Sequence, residues 1–339
     1  MKIALFAYTK QGMLTGKRII AAFPEDEIQA YAPERIAGDG YKQIFSPSKV
    51  FFREQFLHSE LLIFVGSCGI AVRLIAPHLE SKETDPAVLC VDDIGKYVIP
   101  LLSGHIGGAN EQAKKLAAAL HAQDIITTAT DIHQRFSVDS WASRHGYIID
   151  NMVIAKDISA AILERDIPFC SQLPLSGSLP NGLYPDDQGK LGIFFGWKMR
   201  NPFERTLHII PKCLHLGIGC RKGTSAQTIM DAVSQTMSHH HINLRAIKFV
   251  ASIDLKASEM GLLEYCRSVD LPFICYSADE LKEVQGEFTT SDFVRSVTGV
   301  DNVCERAAMM NANRLIVPKT IYAGVTVAAA AEIKEVKVE

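Results

Sequence analysis

Leu61-Leu62-Ile63-Phe64-Val65-Gly66-Ser67-Cys68-Gly69 is the stretch on which the fold turns. Five consecutive apolar residues leave no polar face, as expected for a strand covered on both sides in a largely parallel sheet. The run ends in a glycine turn, and a helix is expected from Ile70 to Glu80. Upstream, residues 2–8 read as a first strand, 13–22 as a helix and 27–32 as a second strand. Ser46-Pro47-Ser48 opens a helix reaching His58. Downstream, strands at 88–92 and 97–102 flank Asp93-Ile94-Gly95-Lys96, a hairpin turn. Ser103-Gly104-His105-Ile106-Gly107-Gly108-Ala109-Asn110 then leads into a helix with Asn110 as the expected N-cap. Ala113, Leu116, Ala117 and Leu120 form its apolar face. A strand is expected at 125–129. This alternation argues an α/β domain, whose ligands bind beyond the carboxyl ends of its strands.

The spacing predicts two α/β domains with mostly parallel sheets, joined by a smaller α+β middle segment. The amino-terminal domain spans 1–150 and the middle region 151–212. The carboxy-terminal domain spans 213–331, and the charged tail 332–339 is expected to fray. The middle carries a helix at 153–165, strands near 168–172, 191–197 and 206–211, and a Pro/Gly-rich loop at 174–189. The last domain opens with a strand at 214–218, a second glycine turn and a helix to Ser238. A strand (246–253), a helix (258–268) and a strand (273–276) follow. Helices near 279–284, 290–297 and 302–312 precede a strand pair ending near Ala329.

Composition narrows the function classes. Hydrophobic residues make up 47% and charged residues 22%, with 35 basic against 38 acidic groups and a net charge of −3. That balance argues against a nucleic-acid or membrane-surface protein. No apolar run is long enough to span a membrane, and the first residues read as a strand rather than a signal peptide. The eight cysteines are scattered without a C-x-x-C pair. Buried thiols in a reducing compartment follow, so the cytoplasm is the expected location.

Gly217-Ile218-Gly219 fails the dinucleotide fingerprint because Lys222 stands where the third glycine belongs; the P-loop pattern fails as well. The turn still offers backbone N–H groups, with Arg221 and Lys222 beside them, and reads equally as an anion site or a tight structural turn. His239-His240-His241 reads as a polar helix end rather than a metal site. The 103–110 segment places three glycines, a hydroxyl, an imidazole and an amide past a strand. Thr127-Thr128-Ala129-Thr130-Asp131 ends the next strand, and Gly69-Ile70-Ala71-Val72-Arg73 sets a cation one turn into a helix. With strands 61–65, 97–102 and 125–129 in one sheet, Arg73, His105 and Asp131 converge. The plain alternatives are that Asp131 caps a turn and Arg73 makes a surface or interdomain ion pair.

Taken together, these segments resemble the CbiG family. In its amino-terminal domain the resemblance is carried by Gly69–Arg73, Asp85-Pro86-Ala87-Val88, Leu101–Asn110 and Thr127–Asp131. In its carboxy-terminal domain it is carried by Gly217–Thr224, Gly299-Val300, Asn302-Val303-Cys304-Glu305 and Leu315–Lys319. Cys68 stands where methionine is common in the family, and Asn302 where serine is.

The resemblance implies cobalt-precorrin 5A hydrolase activity: water opens a δ-lactone, and the two-carbon fragment leaves as acetaldehyde. Lactone opening needs an activated water and oxyanion donors. The catalytic candidates are His105 as general base, Asp131 as its orienting group, and Ser103. The substrate-binding candidates are Gly69, Arg73, Gly107, Gly108, Asn110, Thr128, Arg221 and Lys222. The N–H groups of Gly107 and Gly108 are expected at the oxyanion, and the cations at the substrate's carboxylates. No cofactor and no protein metal site are expected, because the cobalt arrives in the substrate. A tetrapyrrole is the expected small-molecule partner, in a cleft between the two domains. Other enzymes of the pathway are candidate partners; nucleic acid and membrane are not. The competing readings are a non-catalytic tetrapyrrole carrier and a nucleotide- or phosphosugar-binding α/β protein.

Overall fold

The computed structural model describes residues 1–81 and 84–338. The chain divides into two compact units, Met1–Arg144 and His145–Glu339.

The first unit runs β1 (Lys2–Ala7), α1 (Lys10–Ala22), β2 (Glu27–Ala32), β3 (Lys42–Gln43), α2 (Ser48–His58), β4 (Leu61–Val65) and α3 (Cys68–Ile75). It continues through β5 (Ala87–Val91), β6 (Tyr97–Leu102), α4 (Ala109–Leu120), β7 (Gln123–Asp124), α5 (Ala129–Ile132) and α6 (Val138–His145). One seven-stranded sheet has the order β3-β2-β1-β4-β5-β6-β7. The apolar run 61–65 is its central strand, and all five residues are buried. α1 and α4 cover one face through Met13, Ile19, Ala113 and Leu116. Phe51, Phe52 and Phe56 of α2 and Ala71 and Ile75 of α3 cover the other. Burying each such phenylalanine contributes about 1.5–3 kcal/mol.

The five strands from β3 to β5 are parallel. β6 is not: it returns antiparallel to β5, pairing Val88 with Leu102 and Val91 with Val98. The Asp92 carboxylate closes the hairpin by accepting the Ile94 and Lys96 N–H groups at 3.3 and 2.7 Å. Leu102 therefore lies at the amino edge of the parallel strands, whereas Gly66 leaves their carboxyl edge. β7 runs parallel to β6, with Tyr97 opposite Gln123 and Val98 opposite Asp124. Residues 103–108 and 125–131 consequently emerge side by side, and α4 crosses between them.

Three boundaries differ from expectation. α1 starts at Lys10 because the Thr9 hydroxyl accepts the Gly12 N–H at 2.8 Å. α3 stops at Ile75, where Pro77 allows only a short tighter turn. The strand expected at 125–129 is only Gln123–Asp124; Ile125 donates to the Val98 carbonyl at 2.9 Å, and a helical turn begins at Ala129.

The second unit runs β8 (Ile148–Ile149), α7 (Met152–Ala161), β9 (Ile167–Ser171), β10 (Leu175–Ser176), β11 (Leu183–Pro185), β12 (Leu191–Phe195) and β13 (Arg205–Ile210). There follow β14 (Leu214–Gly219), α8 (Ala226–His239), β15 (Ile247–Ile253), α9 (Met260–Ser268) and β16 (Phe273–Tyr276). The last elements are α10 (Ala278–Glu283), α11 (Asp292–Thr298), α12 (Cys304–Met309), β17 (Arg314–Tyr322), β18 (Val325–Ala331) and β19 (Val336–Lys337). Its sheets have the orders β11-β9-β12-β13-β8 and β16-β15-β14-β18-β17. β11, β9, β12 and β13 are parallel, so the middle segment is a small α/β sheet in its own right. It shares one unit with the last sheet: Met199 donates to the His241 carbonyl at 2.7 Å, and Asn243 to that of Trp197 at 2.8 Å. The tail does not fray through Val338. β19 pairs with β10 inside the expected 174–189 loop. Glu332 also binds Lys248 at 2.9 Å, and the two lysines (Lys334 and Lys248) hold its carboxyl down to about 2.

Gly217 is required by packing: a Cβ there would stand 1.8 Å from the Cys304 carbonyl oxygen of α12. The buried Glu305 carboxylate gathers the N–H groups of Thr289 and Lys319, both at 2.7 Å, and the Asn302 amide at 2.6 Å. This network ties the loop before α11, the start of α12 and β17 together.

β13 and β8 are joined at His208. Its Nδ1 faces Asp150 Oδ2 at 2.7 Å and its Nε2 faces the Arg200 carbonyl at 2.9 Å. Both partners accept, so both nitrogens carry protons, and the Asp150 bond raises the pKa despite burial. The contribution to stability is complete below the ordinary histidine value of about 6.5 and is lost as pH rises through the raised folded value. Thermal denaturation of the full chain should show this decline above about pH 6.5, and His208→Gln should abolish it. A His208 titration by NMR at or below the ordinary value would contradict the assignment.

Candidate functional site

The converging ends of β6 and β7 build one polar cluster. His105 Nε2 lies 3.1 Å from Asp131 Oδ2 and 3.3 Å from Thr130 Oγ1. The same carboxylate oxygen accepts the Thr128 hydroxyl at 2.9 Å and the Asn110 amide at 2.9 Å; Asn110 also donates to Thr128 at 2.7 Å. Asp131 Oδ1 takes Lys114 Nζ at 3.1 Å. Asn110 is buried, while His105 and Asp131 side chains remain 21% and 23% exposed, open enough to meet a ligand.

Local chemistry sets this geometry. Gly108 adopts a left-handed conformation (φ 79°) and caps α4, so the helix starts at Ala109. Asn110 is therefore not the N-cap; it sits inside the first turn with its amide turned to Thr128 and Asp131. Ala109 and Asn110 donate to the carbonyls of Ser103 and Gly104 at 3.1 and 3.0 Å, folding the loop onto the helix start. Ser103, itself at φ 55°, donates its hydroxyl to the Asp85 carbonyl at 2.9 Å. It anchors the loop and makes no side-chain bond to the cluster. The Ser143 hydroxyl holds the Ile106 carbonyl at 2.8 Å.

Burial alone would raise the Asp131 carboxyl. Hydrogen bonds from Thr128, Lys114 and His105 outweigh it and hold the group below the usual carboxylate range. Asp131 is thus ionised at neutral pH and accepts from every neighbour. With the carboxylate on Nε2, that nitrogen carries the imidazole proton, and Nδ1 presents its lone pair.

The oxyanion expectation changes in part. The Gly108 N–H donates to the His105 carbonyl at 3.0 Å and is not available. Among the described residues, the N–H groups of His105, Ile106 and Gly107 donate to no protein group. Gly69 lies in the first turn of α3 at the carboxyl edge of the sheet, the far edge from His105, because β6 is reversed. Arg73 is exposed and takes no part in the cluster's bonds. Arg221 and Lys222 belong to the second unit. There the Glu259 carboxylate already occupies the turn, accepting the Gly223 N–H at 2.7 Å. Sequence reasoning missed Lys114 and Thr130. Lys114 follows Asn110 by one helical turn, a spacing that puts both on one face.

All the cluster residues fall in one matched segment. The family model described as cobalamin synthesis G N-terminal matches residues 50–131, and that of the cobalamin synthesis G C-terminus matches 214–330. The cobalt-precorrin-5A hydrolase of Priestia megaterium is 31% identical over 331 residues, covering 91% of this chain and 88% of that protein. The chain belongs to the cobalamin synthesis G family. A second family member, the cobalt-precorrin-5A hydrolase of Salmonella typhimurium, is 29% identical, with 96% of each chain covered. A solved structure of a cobalamin biosynthesis protein G homolog from Sulfolobus solfataricus covers 98% of this chain and 97% of that one, at 20% identity and a TM-score of 0.42.

Two glycines separate the two edges of the sheet experimentally. A Cβ on Gly107 would stand 2.5 Å from Ser103 Cβ, whereas one on Gly69 meets nothing within 4 Å. Gly107→Ala should cost about 1–3 kcal/mol. Gly69→Ala should be neutral or stabilising by up to about 1 kcal/mol. Urea denaturation of the full-length variants checks both; equal effects would contradict the loop geometry.

Proposed function

We propose that this chain is a cobalt-precorrin-5A hydrolase of cobalamin biosynthesis, with the His105–Asp131 cluster as its active site. The observation that carries the site is the Asp131 carboxylate on His105 Nε2 at 3.1 Å, which leaves Nδ1 as a base. Both curated relatives quoted above bear the activity's name and align along nearly the whole chain.

His105 Nδ1 takes a proton from water as the water attacks the lactone carbonyl carbon. Asp131 holds the ring in the required tautomer and stabilises the imidazolium that forms. It does not act as the base, since Thr128, Asn110, Lys114 and His105 already surround it. The N–H groups at 105–107, which donate to no protein group among the described residues, are the donors available for the charge developing on the carbonyl oxygen. Collapse of the adduct breaks the ring C–O bond and returns the proton to the alkoxide, giving a carboxylate and an alcohol. In the second step the alcohol gives up its proton and becomes the carbonyl of acetaldehyde. The electron pair of the broken carbon–carbon bond passes into the conjugated macrocycle. Cobalt enters and leaves as part of the substrate.

Ser103 serves this scheme as a positioning residue through its bond to Asp85. The activity is tested by incubating the protein with cobalt-precorrin 5A without oxygen and assaying acetaldehyde. Enzyme-dependent release is expected, and His105→Ala should lower kcat by about 10²–10⁴-fold. Full turnover by that variant would remove His105 from the mechanism; corrinoid binding without acetaldehyde would point to a carrier.

A further inference from the structure

The first unit carries a groove that begins at the catalytic loop. Gly107 lines one end, against Pro86, Ala87 and the Phe56 ring, in a space of about 330 Å³. A second space of about 440 Å³ continues it, sharing Leu57, His78 and Glu80 with the first. Its far mouth is lined by Lys49 and Arg53 of α2.

The charges along this path are unequal. Asp85 lies near the loop, but its carboxylate accepts the Glu80 N–H at 3.0 Å and the Ser81 N–H at 3.3 Å. Glu60 accepts the Lys2 N–H at 2.7 Å. Both line the first space, and neither lines the second. Lys49 and Arg53 are exposed and make no hydrogen bond or ion pair among the described residues. Among the described residues that line the second space, Glu80 is the one carboxylate, beside the two cations. His78 stands between, 6.1 Å from the Phe56 ring. Burial and the nearby Lys49 and Arg53 push its pKa below the ordinary histidine range, and it stays neutral. The groove therefore passes from Gly107, past the Asp85, Glu60 and Glu80 carboxylates and the His78 ring, to Lys49 and Arg53, two cations unpaired among the described residues.

We propose that this groove seats one carboxylate-bearing side arm of the tetrapyrrole, with Arg53 and Lys49 binding its carboxylate while the lactone lies at His105. The inference rests on the hydrolase reading. It follows from the continuity of the groove with Gly107 and from the charge at its far end. Arg53 offers a planar fork suited to a carboxylate, and Lys49 a mobile second charge. The occupant is an arm of the substrate rather than a separate ligand, because the groove reaches Gly107 of the loop that carries His105.

The test compares full-length wild type with Lys49→Ala/Arg53→Ala, both substitutions being exposed and away from the His105–Asp131 cluster. Acetaldehyde release gives kcat and KM, and the absorbance of cobalt-precorrin 5A under anaerobic conditions gives Kd. The double variant should raise KM and Kd about tenfold or more while kcat stays within about twofold. Arg53→Lys alone should fall between the two. Unchanged KM and Kd beside an active wild type would overturn the groove assignment and leave the hydrolase intact. A fall in kcat at constant KM would overturn it as well. A wild type that neither binds nor releases acetaldehyde would overturn the hydrolase reading, and this inference with it.

Discussion

Thr128, Asn110, His105 and Lys114 all donate to the Asp131 carboxylate, and the candidate site exists only because they do. These donors come from three places: the loop after β6, the first turns of α4, and the segment after β7. All are polar; Asn110 is buried and the others are at least partly exposed, and without the shared acceptor those would solvate separately. An ionised carboxylate makes stronger hydrogen bonds than a neutral acceptor, and a network around it orders its members together. The depressed pKa of Asp131 follows from the same bonds.

That convergence depends in turn on the direction of one strand. Because β6 runs antiparallel to β5, the loop after it lies at the amino edge of the parallel strands. Because β7 runs parallel to β6, the next segment arrives at the same edge. The glycine turn at 66–69 lies at the other edge. The first unit thus uses the parallel strands as a rigid support and builds its chemistry on the β6–α4–β7 crossover at their margin. Loops carried by rigid elements are where precise polar constellations are usually held.

Much of this was legible in the residues. The uninterrupted apolar run 61–65 marks a strand buried on both faces, and it is the centre of the sheet. The Asp93–Lys96 turn marks a hairpin, which carries the reversal of β6 with it; the parallel-sheet expectation hides that consequence, and with it the separation of Gly69 from His105. The Ile125–Ala129 run looks like a strand by its β-branched residues. Thr128 and Asp131 instead bond locally, which hydroxyl and carboxylate side chains do at helix starts. Asn110 has the residue type of an N-cap, but Gly108 reaches the left-handed conformation first and frees the amide for Asp131. Glu305 stands within the 302–305 stretch of the resemblance, but nothing in the sequence marks it as buried. A charged residue early in a helix reads as surface, and only the fold reveals that it is buried and satisfied by backbone N–H groups.

The central claim is that the Asp131 bond sets the His105 tautomer and leaves Nδ1 as the base. Long-range ¹H–¹⁵N NMR of the imidazole-labelled protein at a pH where His105 is neutral tests it directly. The account predicts a protonated Nε2 and a bare Nδ1, with both signals moving when Asp131 is replaced by Asn. A proton on Nδ1 with Nε2 bare would contradict it, because the nitrogen facing the carboxylate would then have no hydrogen to give.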